Sequence, residues 1–162
     1  MYEKCISSYP YIMLFALVII CRMYHVSYVY AAGYIVNTVT NYGLKLFFRD
    51  MMGSAGNRPI PYHPATPFVV GGILTSSVSR ANAYGFPSGH AQSVGYFLAF
   101  AHQFLPWRAW HLGWIVAALA VAGWLMHTRI ALQRHTPVQV LFGFAFGIAV
   151  FQGFTRLTNH IR

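Results

Sequence analysis

Apolar stretches about as long as a lipid bilayer is thick recur along this chain, with Arg and His gathered between them. A helix needs roughly 20 such residues to cross the hydrocarbon core. Hydrophobic residues make up 57% of the 162 and charged residues only 8%, whereas a soluble domain carries about 25% charged residues. The expected class is therefore all-α, a polytopic transmembrane helical bundle. Five spans are expected, near residues 9–22, 26–48, 90–105, 111–128 and 138–157. A sixth would arise only if the short patch Phe68–Leu74 crossed rather than lying at the interface. Five spans of roughly 20 residues leave little for anything else, so residues 1–162 read as a single membrane domain. Lys4 before the apolar run Tyr11–Ile20 resembles a secretory leader, but no small-residue cleavage pattern follows and Arg22 closes the run. A retained first span is expected. Residues 49–87, rich in Gly and Pro, read as one long loop. Trp110, Trp114 and Trp124 fit interface anchors, and Gly143, Gly147 and Gly153 fit close helix contact.

The acid count excludes whole classes of chemistry. Glu3 and Asp50 are the only carboxylates, against 11 Lys and Arg. Hydrolytic zinc sites and two-metal phosphatases need clusters of Asp, Glu, His or Cys, and two distant acids supply none. No metal and no cofactor is expected. Cys5 and Cys21 define neither a disulfide framework nor a metal site. The net charge of +9 suits an anionic substrate or anionic lipid headgroups. It does not point to nucleic acid, because the charges are scattered between apolar spans.

Three clusters carry the reactive side chains: Asn57-Arg58-Pro59, preceded by Lys45; Gly85-Phe86-Pro87-Ser88-Gly89-His90; and Arg129 to Gln139, containing His135. Alternating spans would bring all three to one membrane face. Ser88 stands where a loop becomes a helix, a position from which it caps the helix. Gly89 would let an anion approach the free N–H groups there. Arg58 and Arg129 offer planar forks for phosphate oxygens. A membrane Arg without an acid partner is costly, so an anionic ligand is the natural counter-charge. His90 and His135 supply two proton-transfer groups, or one acid and one nucleophile. Gln139 lies one helical turn from His135, placed to accept from one ring nitrogen and leave the other open. Arg49, Arg80, Arg134 and His127 read as interfacial residues, and His63 as structural.

The order Arg-Pro, Pro-Ser-Gly-His and Arg129-x5-His135 resembles the type-2 phosphatidic acid phosphatase superfamily, over residues 41–150. The resemblance implies a helical bundle with His135 as nucleophile, forming a phosphohistidine, and His90 as general acid. Arg58, Ser88, Gly89 and Arg129 would then bind phosphate. The family's first motif carries a Lys seven residues before its Arg-Pro. That position is Met51 here, and Lys45 takes the part if Met51–Asn57 is an insertion. Gln139 stands where most members carry an Asp. The wording around His90 and His135 is similar to the dolichyl-diphosphatase branch, where Gln also occurs. Gln139→Asp is accordingly expected to be tolerated. Gln139→Leu is expected to slow turnover while leaving substrate binding largely intact.

The implied function is a multi-pass membrane lipid phosphatase acting on a polyprenyl or dolichyl diphosphate or a related lipid phosphate. Its site would face the lumen or exterior. Competing readings are a phosphatidate-type phosphatase, a lipid phosphotransferase, and an inactive membrane scaffold of the same fold. The positive charges outside the proposed site divide evenly between the two sides, four against four, so the positive-inside rule sets no orientation. Nothing in the sequence fixes an oligomeric state.

Overall fold

The computed structural model describes residues 27–60, 84–104 and 111–160. Among these the chain is mostly helical and contains no strand. Helix α1 spans Ser27–Met52, α2 Gly89–Phe104, α3 His111–Ala131 and α4 Pro137–His160, with a 3-10 turn at Gly53–Gly56. The expected first span at 9–22, its retention, the patch Phe68–Leu74, His63 and the turns at 22–25 and 106–110 lie outside the described residues. Pro137–Thr158 is the one described stretch long and apolar enough to cross a membrane, and Val116–Ala131 is a shorter apolar stretch.

Residues 49–52 continue α1 and Gly53–Gly56 form the 3-10 turn, which corrects the sequence reading of a loop that begins at residue 49. The helix runs on because Phe47 to Met52 contain no breaker. It stops at Gly53, whose φ of 49° is a left-handed conformation that glycine adopts without steric penalty. The 3-10 turn then feeds an extended segment, and Asn57 forms an isolated antiparallel bridge with Tyr84.

Helices α2 and α4 form the closest pair in the bundle. A Cβ on Gly147 would run into the Gln92 carbonyl, and one on Gly95 into the Phe144 carbonyl. Small residues let two backbones approach this way where lipid supplies no hydrophobic force between helices. Gly143 belongs to the same contact, but Gly153 does not, since nothing lies within 4 Å of where its Cβ would be. Further along α2, Tyr30, Tyr96, Phe100 and Phe151 form a buried aromatic cluster joining α1, α2 and α4. The Tyr30 and Phe100 rings meet edge-on at 4.7 Å, a favoured geometry for aromatic quadrupoles.

Polar side chains also hold α1 to α2. Gln92 is fully buried, donates to the Asn37 carbonyl at 2.9 Å and accepts from the Asn41 amide at 2.7 Å. Asn37, Asn41 and Lys45 recur at helical spacing, so one stripe of α1 is polar and faces inward. The outward faces are apolar: Ile35 and Val39 on α1 and Leu141 and Leu157 on α4 are each more than 60% exposed. This inside-out distribution suits lipid contact.

Candidate active site

At one end of the bundle the α1 and α3 C-termini meet the N-termini of α2 and α4. Each brings a different kind of group. The α2 N-terminus presents backbone N–H groups and a positive dipole end, while α1 and α3 contribute Lys45 and Arg129. The segments Gly56–Ile60, Tyr84–Ser88 and Leu132–Thr136 lie between the helix ends and are stitched together by backbone hydrogen bonds. The Gly56 carbonyl accepts from the Gly85 and Phe86 N–H groups at 2.9 and 3.1 Å, and Ile60 donates to the Gln133 carbonyl at 3.2 Å. Ser88 N–H donates to the Gln139 carbonyl at 3.0 Å.

His135 is 2% exposed. Its backbone is fixed by the end of α3. Gln133 takes a left-handed φ of 51°, so the chain folds back and the Arg129 carbonyl accepts from both the Arg134 and His135 N–H groups. Its ring nitrogen Nδ1 lies 2.9 Å from the Gly85 carbonyl oxygen and 3.3 Å from Gln139 Oε1. A carbonyl oxygen can only accept, so Nδ1 carries the proton and Nε2 keeps its lone pair. Burial, then the charges of Arg58 and Lys45 and the nearby His90, push the His135 pKa from 6.5 down to about 2, against a smaller opposing effect of the Gly85 bond. The ring is neutral at physiological pH, with its lone pair on Nε2.

The Gln139 amide has its orientation set by four neighbours. Oε1 accepts from the Thr136 N–H at 3.1 Å and faces His135 Nδ1. Nε2 donates to the carbonyls of Asn57 and Gly56 at 2.9 and 3.3 Å. An Asp at 139, one methylene shorter and with no N–H, would lose both donated bonds. The tolerance expected of Gln139→Asp thus has to be set against the loss of the donor to the Asn57 carbonyl.

The structure brings Lys45 to the site although it stands far from Arg58 in sequence. Its side chain is 5% exposed and Nζ donates to the Tyr84 carbonyl at 2.7 Å. The segment Met51–Asn57 is taken up by the end of α1, the 3-10 turn and the bridge residue Asn57. Arg58 is half-buried and close enough to His135 and Arg129 for their charges to interact. Arg129 is 8% exposed and shares a cleft with His90, walled by Ala91, Val94, Leu125 and Met126. His90 Nε2 is buried and has no hydrogen-bond partner among the described residues. Ser88 is fully buried, with a long 3.5 Å contact from its hydroxyl to the Ala91 N–H. Gly89 is partly exposed and lies against the Asn41 amide.

All eight sequence-selected residues thus fall at this end of the bundle. Three contributors were not anticipated from sequence. Phe86 is a buried anchor for the loop before His90, its ring meeting Phe48 edge-on at 4.7 Å and Phe142 at a tilt at 5.2 Å. The Gly56 carbonyl gathers three donors, and Gln92 holds Asn41 near Gly89. Asp50, the one carboxylate among the described residues, pairs with the exposed Arg49 at 2.8 Å. Asp50 is thus engaged away from Lys45, Arg58 and Arg129. Among the described residues no group of three or more His, Cys, Asp or Glu side chains comes together.

Compared with known proteins, residues 22–162 match the model of the PAP2 superfamily. Two curated relatives are both named lipid A 1-phosphatase. The one from Rhizobium etli is 35% identical over 117 residues, covering 71% of this chain and 45% of its own length. The one from Rhizobium johnstonii is 44% identical over 63 residues, covering 38% of this chain and 23% of its own length. The chain thus spans less than half the length of the curated relatives it matches. No solved structure matches it.

Proposed function

This chain belongs to the PAP2 superfamily, and from that membership we propose that it is a multi-pass membrane lipid phosphatase acting through a phosphohistidine. The observation that carries the proposal is the convergence of Lys45, Arg58 and Arg129 on a neutral histidine whose Nδ1 carries the proton and whose Nε2 keeps its lone pair. That arrangement suits a phosphate dianion and a nucleophile better than a structural core.

In the proposed reaction Lys45, Arg58, Arg129 and the N–H groups beside Ser88 and Gly89 hold the phosphoryl oxygens. His135 Nε2 attacks phosphorus as the bond to the lipid oxygen breaks, and His90 gives that oxygen its proton. Water then attacks the phosphohistidine, returns a proton to His90 and releases inorganic phosphate. The Gly85 carbonyl and Gln139 keep the His135 proton on Nδ1 throughout. No step calls for a metal.

Five spans, with the site at the lumenal or exterior face, are part of this reading. They are supported by the outward apolar faces and by helix ends that converge on one side. The wording of the motifs favours a polyprenyl diphosphate. The names of the two relatives favour a second substrate, lipid A. Both present a lipid-anchored phosphate to the same cations.

Purified protein should release phosphate from a panel of farnesyl diphosphate, undecaprenyl diphosphate, phosphatidate and lipid A. The His135→Ala variant should release none, a loss of at least about a thousandfold. Near wild-type turnover by His135→Ala would sink the mechanism, and the preferred member of the panel selects the substrate.

A further inference from the structure

We propose that Gln139 is a positioning residue for Arg58, acting through the backbone that carries it, beyond its contact with His135. The inference rests on the reading of Arg58 as a phosphate ligand. Three of the attachments that hold the segment around Arg58 bear on its backbone. Asn57 is bridged to Tyr84, Ile60 donates to the Gln133 carbonyl, and the Gln139 amide donates to the Asn57 carbonyl at 2.9 Å and the Gly56 carbonyl at 3.3 Å. Of the three, only the Gln139 attachment is made by a side chain. It is also the one that reaches the nucleophile, since the other end of the same amide faces His135 Nδ1 at 3.3 Å.

The two ends differ in how much depends on them. His135 Nδ1 has a shorter bond to the Gly85 carbonyl, at 2.9 Å, and that bond alone fixes the tautomer. The Asn57 carbonyl has no second donor among the described residues. Loss of the amide therefore leaves the His135 ring held and the Arg58 segment slackened. Gly85 packs directly against the amide, and a Cβ there would collide with it. A guanidinium on a half-buried loop needs its backbone fixed to present its fork to a phosphate, because two parallel hydrogen bonds demand one orientation. The expected split is thus the opposite of the one read from sequence. Removing the amide should weaken ground-state phosphate binding more than it slows the chemical step.

The test is a double-mutant cycle read by binding of inorganic phosphate to the purified full chain in detergent, which requires no turnover. Gln139→Met removes the amide at nearly the same volume and without a charge change. It should weaken phosphate binding about fivefold or more, the size expected for one lost hydrogen bond. In the Arg58→Ala background the same substitution should have little further effect, because its route to the phosphate is gone. On a turned-over lipid phosphate, KM should rise more than kcat falls. Gln139→Asn, whose shorter amide cannot span from His135 to the Asn57 carbonyl, is taken through the same cycle, so that a poorly folded Met variant does not decide the result. Unchanged phosphate binding in both variants would overturn the inference, as would losses that simply multiply in the double variants. Failure of the wild type to bind phosphate would instead overturn the reading of the site itself.

Discussion

A carbonyl oxygen has no proton to give, and at the scale of single residues that fact decides most of the chemistry of this site. Gly85 makes His135 a donor at Nδ1, and the Asn57 carbonyl turns the amide of Gln139 the other way round. The protonation of His135 then follows from its surroundings. Its pKa lies at about 2 in the folded protein against the ordinary imidazole value of 6.5. Between these values the unfolded chain binds a proton that the folded chain refuses. The stability gained from a neutral His135 is therefore complete above about pH 6.5 and is lost as pH falls toward 2. The Tm of the wild type should drop more steeply between pH 7 and pH 4 than that of His135→Asn, which has no such proton to bind. Imidazole NMR signals of His135 should show no protonation over the same range, and a titration near pH 6 would refute the assignment. Much of this site was legible in the sequence, because His90, His135, Arg58 and Arg129 are residue types whose presence among apolar spans calls for a ligand. The tautomer was not legible. It depends on the Gly85 carbonyl, and a backbone group leaves no mark in the identity of its residue. Lys45 was legible only by resemblance, since its distance along the chain from Arg58 hides their meeting in space.

At the scale of elements, the described helices follow the apolar runs to within a few residues, because a backbone shielded from water must bond internally. The exceptions have local causes. Helix α1 outlasts its apolar run because hydropathy does not end a helix, whereas the left-handed Gly53 does. Asn37 and Asn41 do join helices, and their partner on α2 is Gln92. Thr38 does not, bonding back to the Tyr34 carbonyl of its own helix. The glycines of α4 look alike in sequence, yet only the structure separates those that face α2 from the one that does not. Gly147→Ala would force a methyl group onto the Gln92 carbonyl and the Tyr96 N–H, which as backbone cannot swing aside. It should destabilise the protein by about 1–3 kcal/mol through overpacking. Gly153→Ala meets nothing within 4 Å and should be neutral or slightly stabilising, as alanine is favoured in a helix. Thermal unfolding in one detergent compares the two. Equal effects would show that the α2–α4 contact yields where the structure says it cannot.

At the scale of the whole molecule, the arrangement of helices gathers charge that the sequence keeps apart. Lys45, Arg58 and Arg129 come from three different segments, and the nearest described acid, Asp50, is taken by Arg49 at the surface. Folding the empty protein therefore brings like charges together, an unfavourable arrangement that a bound anion would relieve. Stability is the quantity that should respond, because a ligand bound only by the folded state stabilises it by mass action. Inorganic phosphate at about a hundred times its dissociation constant should add roughly 2.7 kcal/mol, seen as a rise of several degrees in Tm. The shift should be the same in excess EDTA, since the cations that bind the anion are side chains and the chain's two carboxylates cannot assemble a metal site. Arg129→Gln should separate the two consequences of clustering. With one buried like charge removed, the empty variant should match or exceed the wild type in Tm, while its response to phosphate should be largely lost. A phosphate shift that vanishes with EDTA and returns with magnesium would mean that a divalent ion, not the arginines, organises the anion. An Arg129→Gln variant with a full phosphate response would remove Arg129 from the site.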